Sequence, residues 1–73
     1  MGFSKMGDMI KVRRKFFRLT QADLAEMAGV SHNTVYKIER GQGNPTLQVL
    51  ADIGGVLGLE IGYLIPADKT LAP

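Results

Sequence analysis

The sequence predicts an all-α domain of four or five short helices. Three observations carry that reading. Apolar residues recur at spacings of three and four along most of the chain. A helix-start residue, Thr20, Ser31 or Thr46, stands just ahead of three of these runs. A glycine, Gly29, Gly41 or Gly58, stands just past each of the same three.

The first helix is expected from about Met6 to Arg18, with residues 1–5 as a flexible tail. Met6, Ile10, Arg14 and Phe17 fall on one stripe at steps of four, four and three. An arginine on an apolar stripe needs a partner. The second helix is expected to start at Thr20. Asp23 stands three residues later and can close a capping box. Leu24, Ala25 and Ala28 form its inner face, Gly29 ends it in the left-handed conformation, and Val30 plugs the turn.

Ser31 caps a third helix that runs to about Arg40. Val35, Ile38 and Ser31 point inward. Asn33, Tyr36, Lys37 and Arg40 point the other way, with His32 on the flank. Gly41, Gly43 and the pair Asn44-Pro45 mark a turn. The fourth helix begins near Thr46 and carries Leu47, Leu50, Ile53, Gly54 and Leu57 inward. Gly54 and Gly55 each cost a helix about 1 kcal/mol relative to Ala. Gly54, on the inner stripe, permits a close helix contact; the pattern gives Gly55 no role. Gly58 ends the helix.

Two readings apply to residues 59–65. Leu59, Ile61, Tyr63 and Ile65 alternate as in a strand. Leu64 spoils the alternation, which leaves a short fifth helix as the alternative, with Glu60 a poor cap and Gly62 inside it. The strand is favoured. The folded domain is thus placed at residues 6–65, and residues 66–73 are read as a frayed tail.

Composition narrows the function. A chain of 73 residues holds one domain, which buries only about 60% of its unfolded surface. It has no Cys and a single His, so no metal centre and no cofactor is expected. No stretch approaches the roughly 20 apolar residues of a membrane span, and the N-terminus lacks the apolar run of a signal peptide, so a cytoplasmic protein is expected. No nucleophile–base constellation or phosphate-cradling loop is present, and GQGNP lacks the lysine such a loop needs; an enzyme is not expected. Residues 1–40 hold eight Lys or Arg against four Asp or Glu, while residues 41–73 hold one against three. The cluster Lys11, Arg13, Arg14, Lys15, Arg18 reads either as a surface for a polyanion or as a solvated helix face.

Helix, glycine turn and helix, with polar residues exposed on the second, is a helix-turn-helix. One helix fits the major groove of B-DNA, which is about 12 Å wide, if a partner helix holds it proud of the body. LTQADLAEMAGVSHNTVYKIERG resembles the helix-turn-helix of the Cro and phage-repressor (XRE-type) family, and NPTLQVLADIGGVLGLEI continues the likeness. The resemblance implies a compact, repressor-like DNA-binding domain of four or five helices. It also implies a sequence-specific regulator, a repressor that binds a palindromic operator as a homodimer. The strand-like ending looks more like the antitoxin branch, in which such a strand pairs with its copy. That implies dimerisation through Leu59, Ile61, Tyr63 and Ile65, and a toxin protein as a further partner. The resemblance places Ser31, His32, Asn33 and Lys37 against bases, Gln21 against an outer base or a phosphate, and Thr20, Thr34 and Arg40 against phosphates. Tyr36 is placed on the sugar-phosphate backbone or a thymine methyl, or it covers the scaffold. Arg14 and Glu39 match a structural ion pair, which supplies the buried arginine's partner. Arg13, Lys15 and Arg18 are left for solvent or the DNA backbone. The competing class is a protein-interaction module, such as a bridging factor or a toxin-neutralising antitoxin.

Overall fold

In a computed structural model the backbone is described for residues 2–60 and the side chains from Lys5 onward. The described part is four helices: α1 (Gly2–Phe16), α2 (Gln21–Ala28), α3 (His32–Glu39) and α4 (Leu47–Leu57). The alternating positions Ile61, Tyr63 and Ile65, and the tail 66–73, lie outside the described residues. Leu59 follows α4 in irregular backbone and packs against the core. No helix among the described residues is long and apolar enough to cross a membrane.

Local chemistry sets the helix ends. The Thr20 hydroxyl accepts from the Asp23 amide at 2.9 Å, and the Asp23 carboxylate accepts from the Thr20 amide at 2.9 Å. This reciprocal pair satisfies two of the amides that a helix start leaves open. Ser31 and Thr46 cap α3 and α4 through the amides of Thr34 and Val49, each at 3.1 Å. At the end of α2, Gly29 has φ 73°, and the Val30 amide reaches back to the Ala25 carbonyl at 3.0 Å. That left-handed residue turns the chain within three positions from α2 to α3, at a backbone angle a Cβ would resist.

α1 departs from expectation at both ends. It starts at Gly2 rather than Met6, so most of the expected tail is helical: nothing in GFSKM stops a helix. It stops at Phe16 rather than Arg18, because Arg18 takes φ 61° and the Leu19 amide bonds back to the Arg14 carbonyl at 3.1 Å. That closes α1 as Gly29 closes α2, with an arginine in the glycine position. Phe17 is consequently thrown off the helical stripe. It is 43% exposed, and its ring meets that of Phe16 edge-on at 5.2 Å.

Met6, Ile10, Leu24, Ala25, Val35, Ile38, Leu50, Ile53 and Leu57 form the core, drawn from all four helices. Each large side chain fully buried here contributes roughly 1.5–3 kcal/mol. α3 packs on α1 and α2, and α4 packs on the same two helices. Leu47 was expected inside but is 63% exposed, because the first residue of α4 projects past the end of the core. Ser31 was also expected inward; it is exposed, its hydroxyl serving the cap.

Gly7 has a role that the pattern does not announce. A Cβ there would fall on the Ile38 carbonyl oxygen and within 2.9 Å of the Glu39 carbonyl oxygen. Only a glycine lets α1 cross so closely over the end of α3. That crossing seats Arg14 beside Glu39.

Candidate nucleic-acid interface

The foundation of the site is buried. Arg14 Nε donates to Glu39 Oε2 at 2.6 Å and Arg14 Nη2 to Glu39 Oε1 at 2.9 Å, a two-pronged pair linking α1 to the last residue of α3. Arg14 Nη1 donates to the Leu19 carbonyl at 2.8 Å. The hydrogen bond to Glu39 holds the Arg14 guanidinium above its ordinary range, against the opposing pull of desolvation. Among the described residues every buried side-chain polar atom has a partner. The pair expected from the sequence is therefore present, and it ties α1 to the end of α3.

On that support α3 presents its outer face. His32, Asn33, Tyr36, Lys37 and Arg40 are exposed and fall within roughly 140° of arc. None of the side-chain hydrogen bonds among the described residues engages Asn33 or Lys37. The Arg40 guanidinium lies over the Tyr36 ring, 5.4 Å from its centre, so these two are preassembled at the end of the helix. At the start of α3, Ser31 and Thr34 share a hydroxyl–hydroxyl hydrogen bond of 2.8 Å. Ser31 is thus committed first to the cap, and Thr34 is half-buried beside it.

α2 adds to this face through its first turn. Gln21 Nε2 donates to Glu39 Oε1 at 3.1 Å, and Gln21 Oε1 is 3.1 Å from His32 Nε2. The structure therefore brings Gln21 and His32 together, with Thr20 exposed one residue earlier. The hydrogen bonds from the Thr20 amide and hydroxyl keep the Asp23 carboxyl below its ordinary range.

Two features escape sequence reasoning. Arg13, left for solvent or DNA, instead donates Nε to the Leu57 carbonyl at 2.9 Å and lies over the rings of Phe16 and Phe17 at 5.2 and 5.1 Å. It closes the end of α4, where a cation suits the helix dipole. No local signal could have found a partner 44 positions away. The second feature is the loop after α3. The Gln42 amide bonds to the Lys37 carbonyl at 2.8 Å, and Gln42, Asn44 and Thr46 line a cleft beside Thr34 and Lys37. The polar turn GQGNP directly after the helix was the available signal.

Comparison with known proteins agrees with this geometry. A family profile described as helix-turn-helix matches residues 10–64. The immunity repressor protein of Bacillus phage phi105 is 38% identical over 66 residues, covering 90% of this chain. The chain spans 45% of that repressor's length. The crystal structure of SinR from Bacillus subtilis in complex with DNA matches with a TM-score of 0.75 at 37% identity, covering 81% of this chain and 95% of that one. The c2 repressor of Salmonella phage P22, in complex with a synthetic operator, matches with a TM-score of 0.78 at 33% identity, covering 82% and 91%. The chain belongs to the helix-turn-helix family of Cro and phage-repressor (XRE) type.

Proposed function

We propose that this chain is a sequence-specific regulator of transcription that binds double-stranded DNA through α3, a repressor acting as a homodimer on a palindromic operator. The observation that carries the reading is the outer face of α3. Asn33 and Lys37 stand one turn apart, exposed and unengaged, on a helix anchored by a buried ion pair. Asn matches the N6/N7 edge of adenine and Lys the O6/N7 edge of guanine. Ser31 and His32 complete the base-facing group, with Gln21 hydrogen-bonded behind His32. Thr20, Thr34, Tyr36 and Arg40 meet the backbone, joined by Gln42 and Asn44 of the following loop. The SinR and P22 c2 relatives, each solved on DNA, support the assignment.

Asn33→Ala or Lys37→Ala should cost about 1–3 kcal/mol on the preferred site and relax preference at one base pair. Arg40→Ala should weaken all sequences alike and lower the salt slope by about two, one phosphate contact being lost in each subunit of the dimer. With about six to eight phosphates neutralised by a dimer, log affinity should fall against log salt with a slope near −5 to −7. Unchanged site ranking in both Asn33→Ala and Lys37→Ala would remove α3 as the reader.

Dimerisation is assigned to Leu59, Ile61, Tyr63 and Ile65. Removing residues 59–73 should leave a monomer that binds a half-site weakly; a truncated protein that still sediments as a dimer excludes that assignment. A second reading has its own observation. Val12 and Phe16 are each 69% exposed on α1 and, with Met9 and Leu59, line an apolar groove suited to a protein partner, as in an antitoxin. Loss of toxin neutralisation in Phe16→Asp, with operator binding intact, is its test. A cytoplasmic location accompanies either reading.

A further inference from the structure

The chain of hydrogen bonds from the core to α3 has a fixed polarity. Glu39 Oε1 accepts from Arg14 Nη2 and from Gln21 Nε2. A carboxylate held in an ion pair has only acceptors, so the Gln21 amide must turn its NH2 group inward. Its carbonyl oxygen is then left facing His32, 3.1 Å from Nε2. A carbonyl also only accepts, so His32 Nε2 carries the proton. In a neutral imidazole the other nitrogen is then an acceptor. The ring belongs to the first residue of α3 and, with Asn33 and Tyr36, lines a shallow depression on the outer face.

We infer that His32 reads the amino group of a base, adenine N6 or cytosine N4, through Nδ1, and that Glu39 and Gln21 are the positioning residues that impose this polarity. The inference rests on the DNA-binding reading above. Phosphate oxygens, guanine N7 and O6, and thymine O4 are all acceptors and offer nothing to a bare Nδ1. Adenine and cytosine each present an N–H in the major groove. His32 therefore separates amino bases (A, C) from keto bases (G, T) at one position of one strand. The discrimination originates in a carboxylate whose side chain is only 2% exposed.

The test uses the full chain at about pH 8, where an ordinary imidazole is neutral. Sites are selected from random DNA, and the position read by His32 is the one whose preference His32→Ala levels. The wild-type protein should favour A or C there over G or T by roughly tenfold, the size of one hydrogen bond made or left unpaired in the groove. Gln21→Lys keeps a donor and a cation against Glu39 but has no acceptor for His32. The ring must then accept at Nε2 and carry its proton on Nδ1, and the preference should reverse to G or T. A merely structural role for Gln21 would change affinity for all four bases alike. Nitrogen NMR of the free proteins gives a readout independent of DNA: Nε2 protonated and Nδ1 bare in the wild type, the reverse in Gln21→Lys. The same base order in both proteins, or a bare Nε2 in the wild type, overturns the inference. Preferences lost with Asn33 and Lys37 but absent at any position for His32 overturn it while sparing the DNA-binding reading. A selection that returns no preferred site overturns both.

Discussion

Replacing Glu39 with Ala tests the support under α3. In the folded protein the side chains of Arg14 and Glu39 are 9% and 2% exposed and share two hydrogen bonds of 2.6 and 2.9 Å. Glu39→Ala strands the guanidinium in the core, a loss of about 3–5 kcal/mol for a buried pair cut on one side. Arg14 keeps the Leu19 carbonyl at 2.8 Å, which places the expectation at the lower end, about 3 kcal/mol. A domain this size has about 4–11 kcal/mol in total, so the variant should be marginal at room temperature. Urea unfolding followed by far-ultraviolet circular dichroism measures it. With a slope near 1 kcal/mol per molar, the midpoint should fall by about 3 M. The double variant Arg14→Met/Glu39→Leu removes both charges and should recover most of the loss, since apolar replacement of a buried pair is often neutral or stabilising. A Glu39→Ala change within about 0.5 kcal/mol, or a double variant as unstable as the single, refutes the reasoning.

Gly7→Ala should destabilise by about 1–3 kcal/mol despite alanine's better helix propensity, because its methyl group meets backbone of α3 rather than a side chain that can yield; thermal melts compare it with the wild type. Gly55→Ala should stabilise by about 1 kcal/mol, since Gly55 lies in α4 with open space around it. Arg18→Gly should raise stability by about 0.5–1 kcal/mol by relieving the left-handed angle of 61° that closes α1. The Thr20 hydrogen bonds lower the folded-state pKa of Asp23. Its stabilising contribution is therefore complete above the ordinary Asp range and is lost as pH falls through the lowered value. The stability gap between wild type and Asp23→Ala should accordingly shrink on acidification.

The starts of α2, α3 and α4 were legible because capping is a local transaction. Thr20, Ser31 and Thr46 each bond to an amide three residues ahead, and that spacing is visible in the chain. The outward face of α3 was legible for the same reason, since one helical period separates Val35 and Ile38 from Asn33 and Lys37. Errors arose where a helix ended early or reached past the core. The stripe that included Phe17 assumed α1 continued through Arg18, and a non-glycine residue at φ 61° left no mark in the sequence. Leu47 satisfied the inner period of α4 but sits where no neighbour covers it.

By itself the sequence determined the helical class, the turn at Gly29, the outward polar face of α3 and, through the family resemblance, the Arg14–Glu39 pair. All but the last depend on interactions within one or two turns, which the order of residues specifies directly. Tertiary structure alone decided that Gly7 is a point of helix crossing, that Arg13 closes α4, and that Gln21 joins Glu39 to His32. Those contacts span 11 to 44 positions where hydrogen bonds make them, and they exist only once the helices have packed at particular angles. Packing is a property of whole faces meeting, so no local pattern names the partner in advance.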